Sequence, residues 1–382
     1  MMTAHASDAL NQPKHDSQTF ASTQQSGAFQ RHLLLFHALR PLLAAALLTV
    51  ILMAGSSAVF AQFAGPAPLT LVNGWTNAPF STSLATVEEI AGIVQFRGAI
   101  ATSGSNPVPF TLPAGLAPAT DVYIPVDLCN ATKGRLHITS GGAVDVEAET
   151  SFSNAQCFTS LDGASYAPNA SGFTALSLIN SWTNAPFATS NAAVKVINGV
   201  VHFKGAIASG TNALPFVLPA AFRPSTDVYI PVDLCDATNG RLHIQHSGTV
   251  DIEEENGTFA NAQCFTSLDG AWFVKAPSGF KVLTLSNGWV NAPFTTSNAM
   301  AGNAYGLVYF KGAIASGTAA QPFVLPVAFR PVTDVYVPVD LCNATNGRLY
   351  IQSSGTVTIQ AENGVFSNAQ CFTSLDGVSF VQ

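Results

Sequence analysis

Residues 200–207 read Val-Val-His-Phe-Lys-Gly-Ala-Ile, and their alternation decides the fold class. Val201, Phe203, Gly205 and Ile207 fall on one side, and Val200, His202, Lys204 and Ala206 on the other. A period of two describes a β-strand with one apolar face and one mixed face. The same face recurs as Val94, Phe96, Gly98 and Ile100, and again as Val308, Phe310, Gly312 and Ile314. A second strand places Val228, Ile230, Val232 and Leu234 inward, with Asp227, Tyr229, Pro231 and Asp233 outward. Its proline cannot donate to a ladder, so the strand is expected at a sheet edge or a bulge. Shorter strands are expected at Leu242–Ile244, Thr249–Glu253 and Cys264–Leu268, with Asn239-Gly240 and Ser247-Gly248 as turns.

These stretches belong to a long internal repeat. Trp75, Trp182 and Trp289 lie 107 residues apart, as do Cys157, Cys264 and Cys371. Asn-Ala-Gln-Cys-Phe-Thr-Ser-Leu-Asp-Gly stands unchanged at 154–163, 261–270 and 368–377. The copies run over 68–167, 175–276 and 282–382, joined by short Pro/Gly/Ser-containing segments. So long a period fits complete domains on a string rather than solenoid units. Seven or eight short strands per copy and no helical period predict an all-β chain of three tandem antiparallel β-sandwich or jelly-roll-like domains.

The six cysteines form three similarly spaced pairs, Cys129/Cys157, Cys235/Cys264 and Cys342/Cys371, without C-x-x-C spacing. The repeat favours one disulfide within each copy. Closing a loop of about 29 residues stabilises a domain by roughly 3–4 kcal/mol and requires an oxidising compartment. The N-terminal 61 residues support export. Residues 1–30 are polar, Arg31, His32 and Arg40 precede the uncharged run Leu42–Met53, and the stretch ending at Ala61 has small or aliphatic residues at the two positions a signal peptidase reads. We expect a secretory signal cleaved near Ala61–Gln62. The alternative is an uncleaved anchor over 41–63, which would tie the protein to a membrane. Both place the repeats at the cell surface or outside the cell.

Only 10% of the 382 residues are charged, and the net charge is −7. With no basic run, a nucleic-acid partner is not expected. Catalysis is not expected either. Copy three carries Tyr350 where the others have His137 and His243, and Tyr309 in place of His202. A triad or metal site would not survive that exchange in a working copy. The aspartates are more uniform: Asp121/Asp127, Asp227/Asp233 and Asp334/Asp340, with Asp162, Asp269 and Asp376. Two aspartates six apart on one strand are roughly 20 Å apart, too far for a glycosidase pair. They are expected to cap turns or to pair with Arg135, Arg241 and Arg348. A calcium site using Asp and backbone carbonyls is the sharper alternative, unsupported by EF-hand or RTX spacing. No metal or other cofactor is expected.

Binding is expected at the aromatics. Trp75, Trp182 and Trp289 stand in turn-rich segments beside Asn77, Asn184 and Asn291. An exposed indole accepts the apolar face of a pyranose while the amide takes its hydroxyls. The alternative is that each Trp plugs the end of its sandwich and the amide fixes a turn. Phe80, Phe187 and Phe294, each after Ala-Pro, are expected in the core. The sequons at Asn130, Asn169, Asn256 and Asn343 fit surface loops.

Asn287-Gly-Trp-Val-Asn, Val201-His-Phe-Lys-Gly-Ala-Ile, Leu218-Pro-Ala-Ala-Phe-Arg-Pro, Gly240-Arg-Leu-His-Ile and Ser374-Leu-Asp-Gly-Val-Ser-Phe, with their counterparts, make each copy resemble a domain of phage tail fibres. Similar domains recur in secreted bacterial proteins of unassigned role. The resemblance implies a β module in a trimeric receptor-binding or shaft role with surface-glycan contact, and no catalytic residues. The leader, the tandem copies and the cysteine pairs depart from it and favour an exported bacterial protein. We therefore expect a non-enzymatic surface protein whose partner is a surface glycan or envelope component, with a structural spacer or self-associating envelope component as the alternative. Repetition itself favours adhesion, because linked weak sites gain avidity.

Overall fold

A computed structural model describes residues 65–382; the leader falls outside the described residues. The chain forms three tandem antiparallel β-sandwich domains with one disulfide each, Cys129–Cys157, Cys235–Cys264 and Cys342–Cys371. In copy two, one sheet orders its strands Thr174–Ala175, Ala193–Ile197, Val200–Lys204 and Trp272–Val274. A second orders Phe216–Val217, Thr249–Glu254, Asn239–Ile244 and Val228–Asp233. A three-stranded sheet of Thr183–Asn184, Ala206–Ala208 and Thr266–Ser267 completes the copy. Val201, Phe203 and Ile207 meet Val228, Ile230, Val232, Leu242 and Ile252 in one core, as the alternation requires.

The single strand expected over 200–207 is two strands. It breaks at Gly205, where φ is +90° and a Cβ would lie 2.4 Å from the carbonyl oxygens of Ser190 and Asn191. Only glycine tolerates both, so the chain changes sheets there. The proline-bearing strand Val228–Asp233 is at a sheet edge, as expected. Two local expectations are corrected. Phe259–Cys264 is a short helix rather than the start of a strand, and Asn239-Gly240 opens the strand Asn239–Ile244 instead of forming a turn. The strands are also more numerous and shorter than expected.

The larger difference concerns how the copies relate. They are not separate beads but a closed ring with pseudo-threefold symmetry. Arg135 of copy one donates to Asp233 of copy two at 3.0 Å, and Arg241 of copy two to Asp340 of copy three at 2.9 Å. Arg348 of copy three closes the circle on Asp127 of copy one at 2.9 Å. The serine hydroxyls follow the same cycle: Ser267 donates to the Tyr123 carbonyl, Ser374 to that of Tyr229, and Ser160 to that of Tyr336, each at 2.6 Å. The edge strands Val122–Asp127, Val228–Asp233 and Val335–Asp340 meet one another along the axis. Hence both faces of these strands are buried, including positions the alternation assigns outward. At one end of the ring Ile90 of copy one packs with Val200, Trp272 and Val274 of copy two and Leu307 and Tyr309 of copy three.

Candidate functional site

The three tryptophans expected to be exposed are buried. Trp75, Trp182 and Trp289 are each 5% exposed, and their Nε1 groups donate to the carbonyls of Asn106, Asn212 and Ala319 at 2.8–3.0 Å. The indoles of Trp182 and Trp289 lie so close over Gly210 and Gly317 that a Cβ there would fall 1.9 Å from the ring. Asn77, Asn184 and Asn291 accept from the backbone N–H groups of Ala85, Ala192 and Ala299, fixing a local turn. The indole faces expected to meet a sugar are therefore covered, and the amide oxygens are engaged.

The exposed aromatics include Phe80, Phe187 and Phe294, expected in the core and found 59%, 61% and 60% exposed, besides Tyr305, which recurs in no other copy. Each follows Ala-Pro in a tight turn with φ near +50°. A bulky residue in this left-handed region costs about 1–3 kcal/mol and persists only where the surroundings fix it. Here the Ala78 N–H donates to the Ala99 carbonyl, the Thr82 hydroxyl to the Pro79 carbonyl, and the Asp334 N–H of copy three to the Ser81 carbonyl. The positive φ carries the ring out of the core and over the boundary with the neighbouring copy.

Each phenylalanine forms a wall of an inter-copy cleft. Tyr123 and Arg135 of copy one face Phe187, Cys235, Asp236 and Phe265 of copy two. Tyr229 and Arg241 of copy two face Phe294, Cys342, Asn343 and Phe372 of copy three, and the third cleft repeats the set across the ring closure, with Tyr336, Arg348, Phe80, Cys129, Asn130 and Phe158. The cleft volumes are about 110, 160 and 140 Å³ in that order. Drug-sized pockets usually span about 300–1,000 Å³, so each cleft suits one ring-sized group of a larger ligand.

The walls are rigid. Phe187 packs edge-on against Phe265, which packs edge-on against Tyr123 at 4.9 Å. Arg135 lies 4.9 Å over the Tyr123 ring, and the other two arginines sit likewise over Tyr229 and Tyr336. Behind each cleft, His137 stacks on Tyr123 and His243 on Tyr229 at 4.3 Å, with Tyr350 on Tyr336 at 4.6 Å. The His-to-Tyr exchange thus keeps the stack and its contact to an aspartate: Tyr350 donates to Asp334 at 2.7 Å where His137 meets Asp121 at 3.1 Å. Asp236 replaces the asparagines of the other two clefts, which makes one cleft more acidic.

The aspartates act structurally, as the sequence indicates, but the arginine partner lies on the neighbouring copy. Asp162 and Asp376 accept from the N–H groups of Gly98 and Gly312, and Asp121 and Asp227 from those of Ser140 and His246. The sequon asparagines are all exposed, and Asn130 and Asn343 line clefts. The clefts were hidden from strand patterning because each draws on two copies. The signal available was the repeated Ala-Pro-Phe itself. The chain matches no protein-family model, no curated protein and no solved structure. The three disulfides indicate an oxidising, extracytoplasmic environment.

Proposed function

We propose that this is an exported, non-enzymatic surface protein that binds carbohydrate through three equivalent inter-copy clefts. The observation that carries this reading is a phenylalanine held outward in strained backbone three times over, each beside an arginine and an amide or carboxylate. An aromatic face accepts the apolar side of a pyranose, and the guanidinium with Asn130, Asp236 or Asn343 serves its hydroxyls. Three sites on one rigid ring engage a glycan-bearing surface together, so weak individual sites sum to useful avidity. The engagement of the histidines and aspartates in stacks, caps and ion pairs supports a role without catalysis.

A self-associating envelope component is the second reading. It is favoured by Val327 and Val332 of copy three, which are 75% and 72% exposed.

The test is a glycan and cell-envelope binding screen of the wild type beside the triple variant Phe80→Gly/Phe187→Gly/Phe294→Gly. Glycine relieves the left-handed strain while the edge-on ring contact is lost, so stability should change by no more than about 1 kcal/mol per site. Avidity should fall by on the order of a hundredfold. A folded triple variant that binds as the wild type does would reject the clefts. A wild type that binds no glycan yet sediments as an oligomer would favour the second reading.

A further inference from the structure

Glu149, Glu255 and Glu362 hold one equivalent position in the three copies, spaced 106 and 107 residues apart. Their carboxylate oxygens lie within 4.8 Å of one another, and each residue is partly buried. The ring brings them together. The turn bearing Glu255 packs on Cys342–Ala344 of copy three, and that bearing Glu362 packs on Cys129–Ala131 of copy one.

Beside this trio lies a second set of oxygens. Asp127 and Asp340 are fully buried, and Asn239 and Asn346 are 1% exposed; the Oδ1 of each has no hydrogen-bond partner among the described residues. The register sets Asp127 opposite Lys133, Asp233 opposite Asn239, and Asp340 opposite Asn346. The trio and this layer are close enough to act on each other. The Glu149 N–H donates to the Lys133 carbonyl at 3.2 Å, and Asn239 and Asn346 donate to the carbonyls of Ala344 and Ala131, in the segments on which the turns of Glu255 and Glu362 pack. At one boundary the Lys133 ammonium donates to Asp233 Oδ1 at 2.8 Å and to the Ala237 carbonyl. At the other two, asparagine stands in its place, and Asp340 Oδ1 and Asp127 Oδ1 have no hydrogen-bond partner among the described residues. Arg135, Arg241 and Arg348 pair with Asp233, Asp340 and Asp127, and Lys133 pairs with Asp233 as well.

We propose that the pseudo-threefold axis is a binding site for one divalent, oxygen-seeking cation of the calcium type, held by Glu149, Glu255 and Glu362. The donors are all oxygen, which selects a hard cation over zinc or copper. Calcium accepts irregular oxygen ligand sets at about 2.3–2.6 Å, whereas magnesium demands a near-ideal octahedron at about 2.1 Å. Because each ligand comes from a different copy, the ion ties all three together.

The experiment is calcium titration of the chelator-treated, disulfide-bonded protein by calorimetry, with magnesium as comparison and thermal unfolding as a second readout. The expected result is one calcium per chain, weaker magnesium binding, and a Tm raised by about 5 °C at a hundredfold excess over Kd. The triple variant Glu149→Gln/Glu255→Gln/Glu362→Gln should lose the uptake and the Tm response. Should that variant fold poorly, Glu255→Gln alone is expected to weaken binding at least tenfold. No calcium uptake by the wild type, or one ion still taken up by a folded triple or single variant at wild-type affinity, would overturn the proposal.

Discussion

Replacing Arg348 by alanine is expected to lower the unfolding free energy by about 3–5 kcal/mol, the range for removing one partner of a buried ion pair. Arg348 reaches from copy three to Asp127 at 2.9 Å and to the Leu128 carbonyl at 3.1 Å, while its Nε donates to Gln360 of its own copy at 2.6 Å. Asp127 is fully buried, and burial pushes its carboxyl up to about 7 against the pull of Arg348. Without the guanidinium that carboxyl rises further. A carboxyl whose folded pKa exceeds its unfolded value favours the folded state at low pH and loses that advantage as pH rises. Below about pH 6 it is protonated in both proteins; above 7 the wild-type carboxyl ionises against Arg348, while that of the variant stays protonated and loses folded-state stability with each further rise in pH. The deficit should therefore be smaller at pH 5 than at pH 8 in denaturant titrations. If the copies were independent beads, Arg348→Ala would be a surface change worth no more than about 0.5 kcal/mol at either pH.

Trp182→Ala is expected to cost about 3–5 kcal/mol by denaturant unfolding, the usual loss for truncating a buried large aromatic. The indole fills the space over Gly210, meets Phe259 edge-on at 6.2 Å, and satisfies its N–H on the Asn212 carbonyl. Truncation leaves a cavity and an unpaired carbonyl. The clefts lie elsewhere, so the folded fraction of the variant should bind as the wild type does. A stable Trp182→Ala protein that has lost binding would restore the tryptophan as the contact residue.

The strand periodicity of 200–207 and 228–234 reads correctly for one face and misleads for the other. Val201, Phe203, Ile230 and Val232 are core, as a two-residue period demands. His202 and Lys204 read as a mixed face, and Tyr229 and Asp233 as an outward one, but all four are buried, because that face meets another copy. Alternation within a strand reports polarity, not what later packs against it. Lys204 illustrates this: its ammonium is buried and donates to the Ala167 carbonyl at the end of copy one. The exchanged roles of tryptophan and phenylalanine have a local cause. Neither composition nor spacing reveals that Ala-Pro-Phe adopts positive φ at both Ala and Phe, which turns the ring outward. The identity of the glutamate position across copies was visible in the sequence; its convergence on an axis required the ring.

Differential scanning calorimetry of the disulfide-bonded protein tests the closed ring most directly. A ring whose clefts and axis are shared by neighbouring copies must unfold as one unit. The expected result is a single transition whose van't Hoff enthalpy equals the calorimetric enthalpy. Three resolved transitions, or a van't Hoff enthalpy of about one third of the calorimetric value, would mean copies that melt separately, and would contradict the ring.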